Sequence, residues 1–116
     1  MFLQRLELQN FRNYKKQSIS LKNGINILIG SNGEGKTNLL ESIYFLAMTK
    51  SHRTHDDLLL LKHNSDFFKV NGILNIDKIK TDLEISYLNK KKSYKIDKIE
   101  TKSLNKYMSY FFIIYT

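Results

Sequence analysis

The sequence of 116 residues contains no cysteine, no proline and only five glycines. The missing cysteine excludes disulfides, Cys-type zinc sites and thiol nucleophiles together, and it is compatible with a reducing compartment. With no proline, no Gly/Ser-rich linker, no repeat and no low-complexity block, nothing marks an internal boundary, and the length suits one ordinary domain or part of one. Long apolar runs are also missing. "LLLL" (58–61) and "YFFIIY" (110–115) fall far short of the roughly 20 residues a membrane span needs. Arg5 and Glu7 interrupt the start where a signal peptide would be apolar, so the expectation is a cytoplasmic protein with no membrane partner.

What is present is enough apolar material for a core: 41% hydrophobic residues, with seven Phe and seven Tyr. The formal net charge of +8 favours a polyanion such as nucleic acid, since each phosphate neutralised releases counterions. All the cations but Arg5, Arg12 and Arg53 are Lys, many with acidic neighbours, and a solvated Lys-rich face explains such a balance equally well.

Hydrophobic periodicity supplies the elements. "FLQRLELQ" turns Leu6 and Leu8 one way and Arg5, Glu7 and Gln9 the other, as a half-exposed strand does, and "QSISLK" repeats the pattern with Ile19 and Leu21 inward. The two read as an antiparallel pair joined through "NFRNYKK". "GINILIG" is a nearly continuous apolar run, as a strand covered on both faces requires. Leu39, Leu40, Ile43, Leu46 and Ala47 then recur at helical spacing and predict an amphipathic helix over about 36–48. "FKVNGILNI", "DLEISY" and "SYKI" predict three antiparallel strands, with "YLNKKKS" as the last hairpin connection. A short polar segment follows at 103–107, and "YFFIIY" reads as a buried strand.

Three of the five glycines fall within "GSNGEGKT", residues 30–37, which satisfies G-x-x-x-x-G-K-[ST] between a strand and a helix. Glycine lets backbone N–H groups curl around phosphate oxygens that a Cβ would push away. Lys36 supplies a mobile charge to the β- and γ-phosphates, Thr37 Oγ suits Mg²⁺, and the helix N-terminus adds its dipole. The pattern predicts nucleotide binding; the bland alternative is a loop that merely joins a strand to a helix.

Hydrolysis needs a further carboxylate at the end of a buried strand. Asp77, ending "ILNID", is the one candidate, but its alternating strand reads as an edge or meander and the residue as surface; Asp56 and Asp57 precede their apolar run instead of following it. His52 and His55 have a spacing that could hold a metal but lack further ligands, so surface histidines are expected. Arg53, in "KSHRT" directly after the helix, could contact phosphates or simply end a helix in polar residues. Arg12, between the first two strands, is equally open. Tyr87, Tyr94 and lysines 90–92 could stack on and pair with nucleic acid, though core tyrosines and a solvated hairpin tip explain them more simply.

"LELQNFRNY", "GINILIGSNGEGKTNLLESIYFLA" and "KSHRT", in that order, make the chain resemble the N-terminal part of RecF proteins, a bacterial DNA replication and repair family. The resemblance is strongest over 6–54 and weaker from 66 onward. It implies an α/β fold: a P-loop NTPase, the first part of an ABC-type ATPase head, related to SMC heads, with an antiparallel β lobe. It implies ATP and Mg²⁺ as cofactors, held by Gly30, Ser31, Asn32, Gly33, Glu34, Gly35, Lys36, Thr37 and Asn38 with Arg12, and with Asn13 nearby; Thr37 would meet the metal. Glu34 stands where the family often has Gln, which puts a further carboxylate near phosphate.

The same resemblance places Arg53 near a DNA-facing or sensing loop. The function it implies is ATP-dependent binding of single-stranded, gapped or junction DNA in replication, recombinational repair and the SOS response. ATP would be sandwiched in a homodimer, with recombination mediator proteins as partners. RecF proteins are longer, and their later part carries the glutamine loop, signature motif and Walker B strand. Residues 1–116 are therefore expected to form an incomplete domain that does not hydrolyse ATP alone. A small kinase or GTPase, lacking here the Asp of a guanine-specifying Asn-Lys-x-Asp, and an inactive truncated product are the competing expectations.

Overall fold

The computed structural model describes residues 2–21 and 34–112. Six strands form one antiparallel sheet among these residues: β1 (Phe2–Phe11), β2 (Tyr14–Ser20), β3 (Phe67–Ile76), β4 (Ile79–Leu88), β5 (Lys91–Ile96) and β6 (Ile99–Thr101), in spatial order β2-β1-β3-β4-β5-β6. Helices α1 (Glu34–Met48) and α2 (Leu104–Phe112) complete the fold, and a short 3-10 helix lies at Asp57–Leu60. The predicted strand over 24–30 falls outside the described residues.

The period-two alternation explains the sheet's two faces. Leu6, Leu8, Phe68, Val70, Leu74, Leu83 and Ile85 are buried on one side, where Phe45, Leu46 and Ala47 of α1 and Tyr107 of α2 join them. Phe68 is the hub of an aromatic cluster: it stacks on Tyr87 with centroids 4.9 Å apart and meets Phe11 and Phe45 edge-on at 5.6 Å each. Gly72 sits where α1 passes close over β3, since a Cβ there would run into the side chains of Leu46 and Leu3. The opposite face is polar and carries Arg5, Glu7, Lys69, Glu84 and Lys95 around a wide hollow of about 720 Å³.

Three hairpins, β3–β4, β4–β5 and β5–β6, turn on two residues each: Asp77-Lys78, Asn89-Lys90 and Asp97-Lys98. All six have positive φ, between 50° and 70°. This is the type I′ pattern, which usually places glycine second; here Asp or Asn takes the first position and a lysine bears the strain of the second.

Several expectations change. β2 begins at Tyr14, so the first connection is only Arg12-Asn13, because Arg12 adopts φ 54° and closes a two-residue turn. Tyr110–Phe112 is helical, not a strand: Ser103 accepts from Lys106 N through Oγ and from Tyr107 N through its carbonyl, starting a helix that buries Tyr107. Residues 113–115 of that apolar run lie outside the described residues. The segment read as polar thus contributes a core tyrosine. Leu40, assigned to the apolar stripe of α1, is 52% exposed. The inward stripe runs instead through Asn38, Glu41, Ser42, Phe45 and Leu46, polar in its first half and apolar in its second.

Candidate nucleotide-binding site

The polar half of that stripe is where the candidate site assembles. Glu41 is fully buried, and a bare carboxylate there would be prohibitive. Arg12 answers it with a two-pronged pair, Nε to Oε1 at 2.8 Å and Nη2 to Oε2 at 2.9 Å. Arg53 Nη1 reaches Oε1 at 3.2 Å and Asn38 Oδ1 at 2.8 Å. Ser51 Oγ donates to Oε2, and Asn38 Nδ2 donates to Asn13 Oδ1 at 2.9 Å. Burial alone would push the Glu41 carboxyl up. The hydrogen bonds from Arg12 and Ser51 and the charges of Arg12 and Arg53 outweigh it and hold the group below the ordinary carboxylate value.

Local structure brings each of these side chains in. Arg12 occupies a left-handed backbone position that costs an L-residue about 1–2 kcal/mol. The bond from its N–H to Leu60 O at 2.7 Å and the fork onto Glu41 hold it there. Thr49, also at positive φ (66°), ends α1 and turns the chain sharply into "KSHRT". Lys92 of β5 fixes that turn by donating to Thr49 O at 2.7 Å and pairing with Asp57 at 3.0 Å. Ser51 Oγ then accepts from the backbone N–H of Arg53 at 2.9 Å, which sets the start of the arginine's reach.

An open cleft of about 450 Å³ lies against this network, lined by Arg12, Asn13, Asn38, Arg53, Leu59, Leu61, Lys62 and His63. Among the described residues Arg12, Arg53 and Lys62 bring positive charge to it and no carboxylate lines it, because Glu41 sits behind its arginines. The cleft can therefore receive an anion, with Leu59 and Leu61 as an apolar wall.

Glu34, Gly35, Lys36 and Thr37 form the first turn of α1, whose leading N–H groups have no acceptor within the helix and whose dipole favours an anion. Thr37 is exposed and Asn38 buried. Gly30, Ser31, Asn32 and Gly33 lie outside the described residues. Arg12, Asn13, Asn38 and Arg53 are thus brought together. Glu41 and Ser51, which complete the set, are the residues that motif reading missed. The signal for Glu41 was there: it falls three residues after Asn38 and four before Phe45, on the inward stripe of a helix.

The other candidates lie elsewhere. Asp77 is exposed in the β3–β4 turn, as a surface residue should be. His52 meets Tyr44 edge-on with ring centroids 5.0 Å apart and His55 is exposed; among the described residues no cluster of three or more His, Asp or Glu could hold a metal. Tyr87 is core, and Lys92 is a helix cap instead of a solvated tip. No described helix is long and apolar enough to cross a membrane.

Comparison with known proteins decides the family, since the family model of the AAA ATPase domain matches residues 1–114. The chain belongs to the AAA ATPase domain family. The likeness to RecF is borne out as well. The DNA replication and repair protein RecF of Pediococcus pentosaceus is 44% identical over 108 residues, and that of Bacillus thuringiensis is 40% identical; each match spans 93% of this chain and 29% of the relative. The solved structure of the recombination mediator protein RecF with ATP, of the RecFOR pathway, superposes with a TM-score of 0.83 at 33% identity, covering 92% of this chain and 30% of that one. The SMC head domain of Thermotoga maritima superposes with a TM-score of 0.71 at 14% identity, covering 88% of this chain and 39% of that one, and shares the fold. This AAA ATPase chain therefore spans less than a third of the length of the RecF relatives it matches.

Proposed function

We propose that this chain supplies the ATP-gripping part of a RecF-like DNA replication and repair ATPase. Residues 30–38 wrap the triphosphate with backbone N–H groups, Lys36 neutralises the outer phosphates, Thr37 Oγ meets Mg²⁺, and Arg12 reaches the nucleotide from the β1–β2 turn. The observation that carries this reading is the convergence of Arg12, Asn38 and Arg53 on one buried carboxylate beside the first turns of the P-loop helix. Arg53 belongs to a loop that responds to DNA; the surplus of cations favours a polyanion as the larger ligand, and the likeness to RecF makes single-stranded or gapped DNA the form proposed.

Within the whole protein the site works in a homodimer with recombination mediator proteins, in recombinational repair and the SOS response. This chain by itself binds Mg²⁺–ATP weakly and does not turn it over, as it spans only 29% of the RecF relatives it matches. Nucleotide competition on the purified chain tests the class: ATP should displace a fluorescent ATP analogue well ahead of GTP. Preference for GTP, or multiple-turnover hydrolysis that Lys36→Ala abolishes, would overturn it.

A further inference from the structure

Glu41 has no contact with solvent, so it does not touch a ligand arriving from solution, and its negative charge would repel a phosphate if bare. A structural tie between the β1–β2 turn and α1 could be made at least as stably by apolar residues of similar volume. What a carboxylate does and an apolar residue does not is hold two guanidinium groups side by side. Arg12 Nε and Arg53 Nη1 both bond the same oxygen, Oε1, at 2.8 and 3.2 Å. Two cations that close repel each other strongly in a partly buried setting, and without the shared anion they would splay apart.

The arrangement is also referenced to Glu41 through the backbone. Ser51 Oγ donates to the carboxylate and accepts from Arg53 N, so both ends of Arg53 take their position from Glu41. The two arginines, with side chains 21% and 33% exposed, line the same cleft, which no carboxylate lines among the described residues.

We infer that Glu41 is a positioning residue that sets Arg12 and Arg53 as a matched cationic pair against the phosphates of the nucleotide. The inference rests on the nucleotide-binding reading above and adds a residue that never meets the ligand. Arg12 is the firmly held member, gripped at both carboxylate oxygens. Arg53, bonded to one of them and to Asn38, is the looser.

A mutant cycle on the purified chain tests this, with the dissociation constant of a fluorescent ATP analogue as readout. Glu41→Gln should weaken binding about tenfold. In a background of Arg12→Gln with Arg53→Gln the same change, which there also removes the bare buried carboxylate, should weaken binding no further, because Glu41 acts only through those arginines. Should Glu41→Gln fail to fold by circular dichroism, the cycle is run with Ser51→Ala, which removes one of the carboxylate's partners and should cost a few-fold in the native background only. Losses that multiply in the arginine-less background overturn the inference while the nucleotide reading stands. Binding that does not depend on Lys36 overturns the reading, and the inference with it.

Discussion

Arg12 and Glu41, twenty-nine residues apart, meet as a two-pronged ion pair with both bonds under 3 Å, one partner strained at φ 54° and the other wholly buried. The pair joins the turn of the β1–β2 hairpin to the second turn of the P-loop helix. Its energetics set the first prediction.

Glu41 is held below its ordinary value, so its contribution to stability is present above the unfolded-state value of about 4.3 and is lost as pH falls through the lower folded-state value. At neutral pH Glu41→Gln should destabilise the chain by about 2 kcal/mol. The gap between native protein and variant should narrow steadily below about pH 4. Urea unfolding of both at pH 7 and at pH 3.5 checks it; a constant gap would mean that the carboxylate's charge is not what stabilises the site.

Tyr107 OH donates to Leu46 O at 2.7 Å, and that carbonyl is one of the last four of α1, which find no acceptor role within their own helix. Burial, then the neighbouring Tyr94 and Glu84, raise the phenol far above its usual range, so it remains a donor at any pH the protein meets. Tyr107→Phe should cost about 1–2 kcal/mol by leaving the carbonyl unpaired. Thermal unfolding would show this as a drop of several degrees with α2 content kept.

The second residue of each type I′ turn is a lysine where glycine would be relaxed. Lys90→Gly should stabilise by about 0.5–1 kcal/mol, the relief of left-handed strain less the extra freedom glycine gives the unfolded chain. Lys78→Gly and Lys98→Gly should do the same and add, since the turns share no partners. Chemical denaturation of the three single variants and the triple variant measures the sum.

Much of this was legible in the sequence, because period-two alternation fixes faces: Leu6, Leu8, Phe68, Val70, Leu83 and Ile85 all point inward as read. The P-loop helix was legible for the same reason, through its spacing and the motif at its head. What resisted reading depended on contacts distant in the chain. "YFF" has high β-propensity, yet Ser103 and the burial of Tyr107 against α1 draw it into a helix. Leu40 looked apolar and inward, whereas the inward position next to it went to Glu41, because two arginines from other segments make a buried carboxylate tolerable there. Arg12 and Arg53 were ambiguous singly, and they acquire a reading only once the fold sets them on the same oxygen.

Residues 30–38 are proposed to grip a triphosphate through Lys36. Titration of the 116-residue chain with Mg²⁺–ATP in a calorimeter, alongside Lys36→Ala, tests it most directly. Weak, saturable binding at one site per chain is expected, vanishing in the variant while its unfolding temperature is unchanged. Equal binding by both proteins, or none by the native chain, would contradict it.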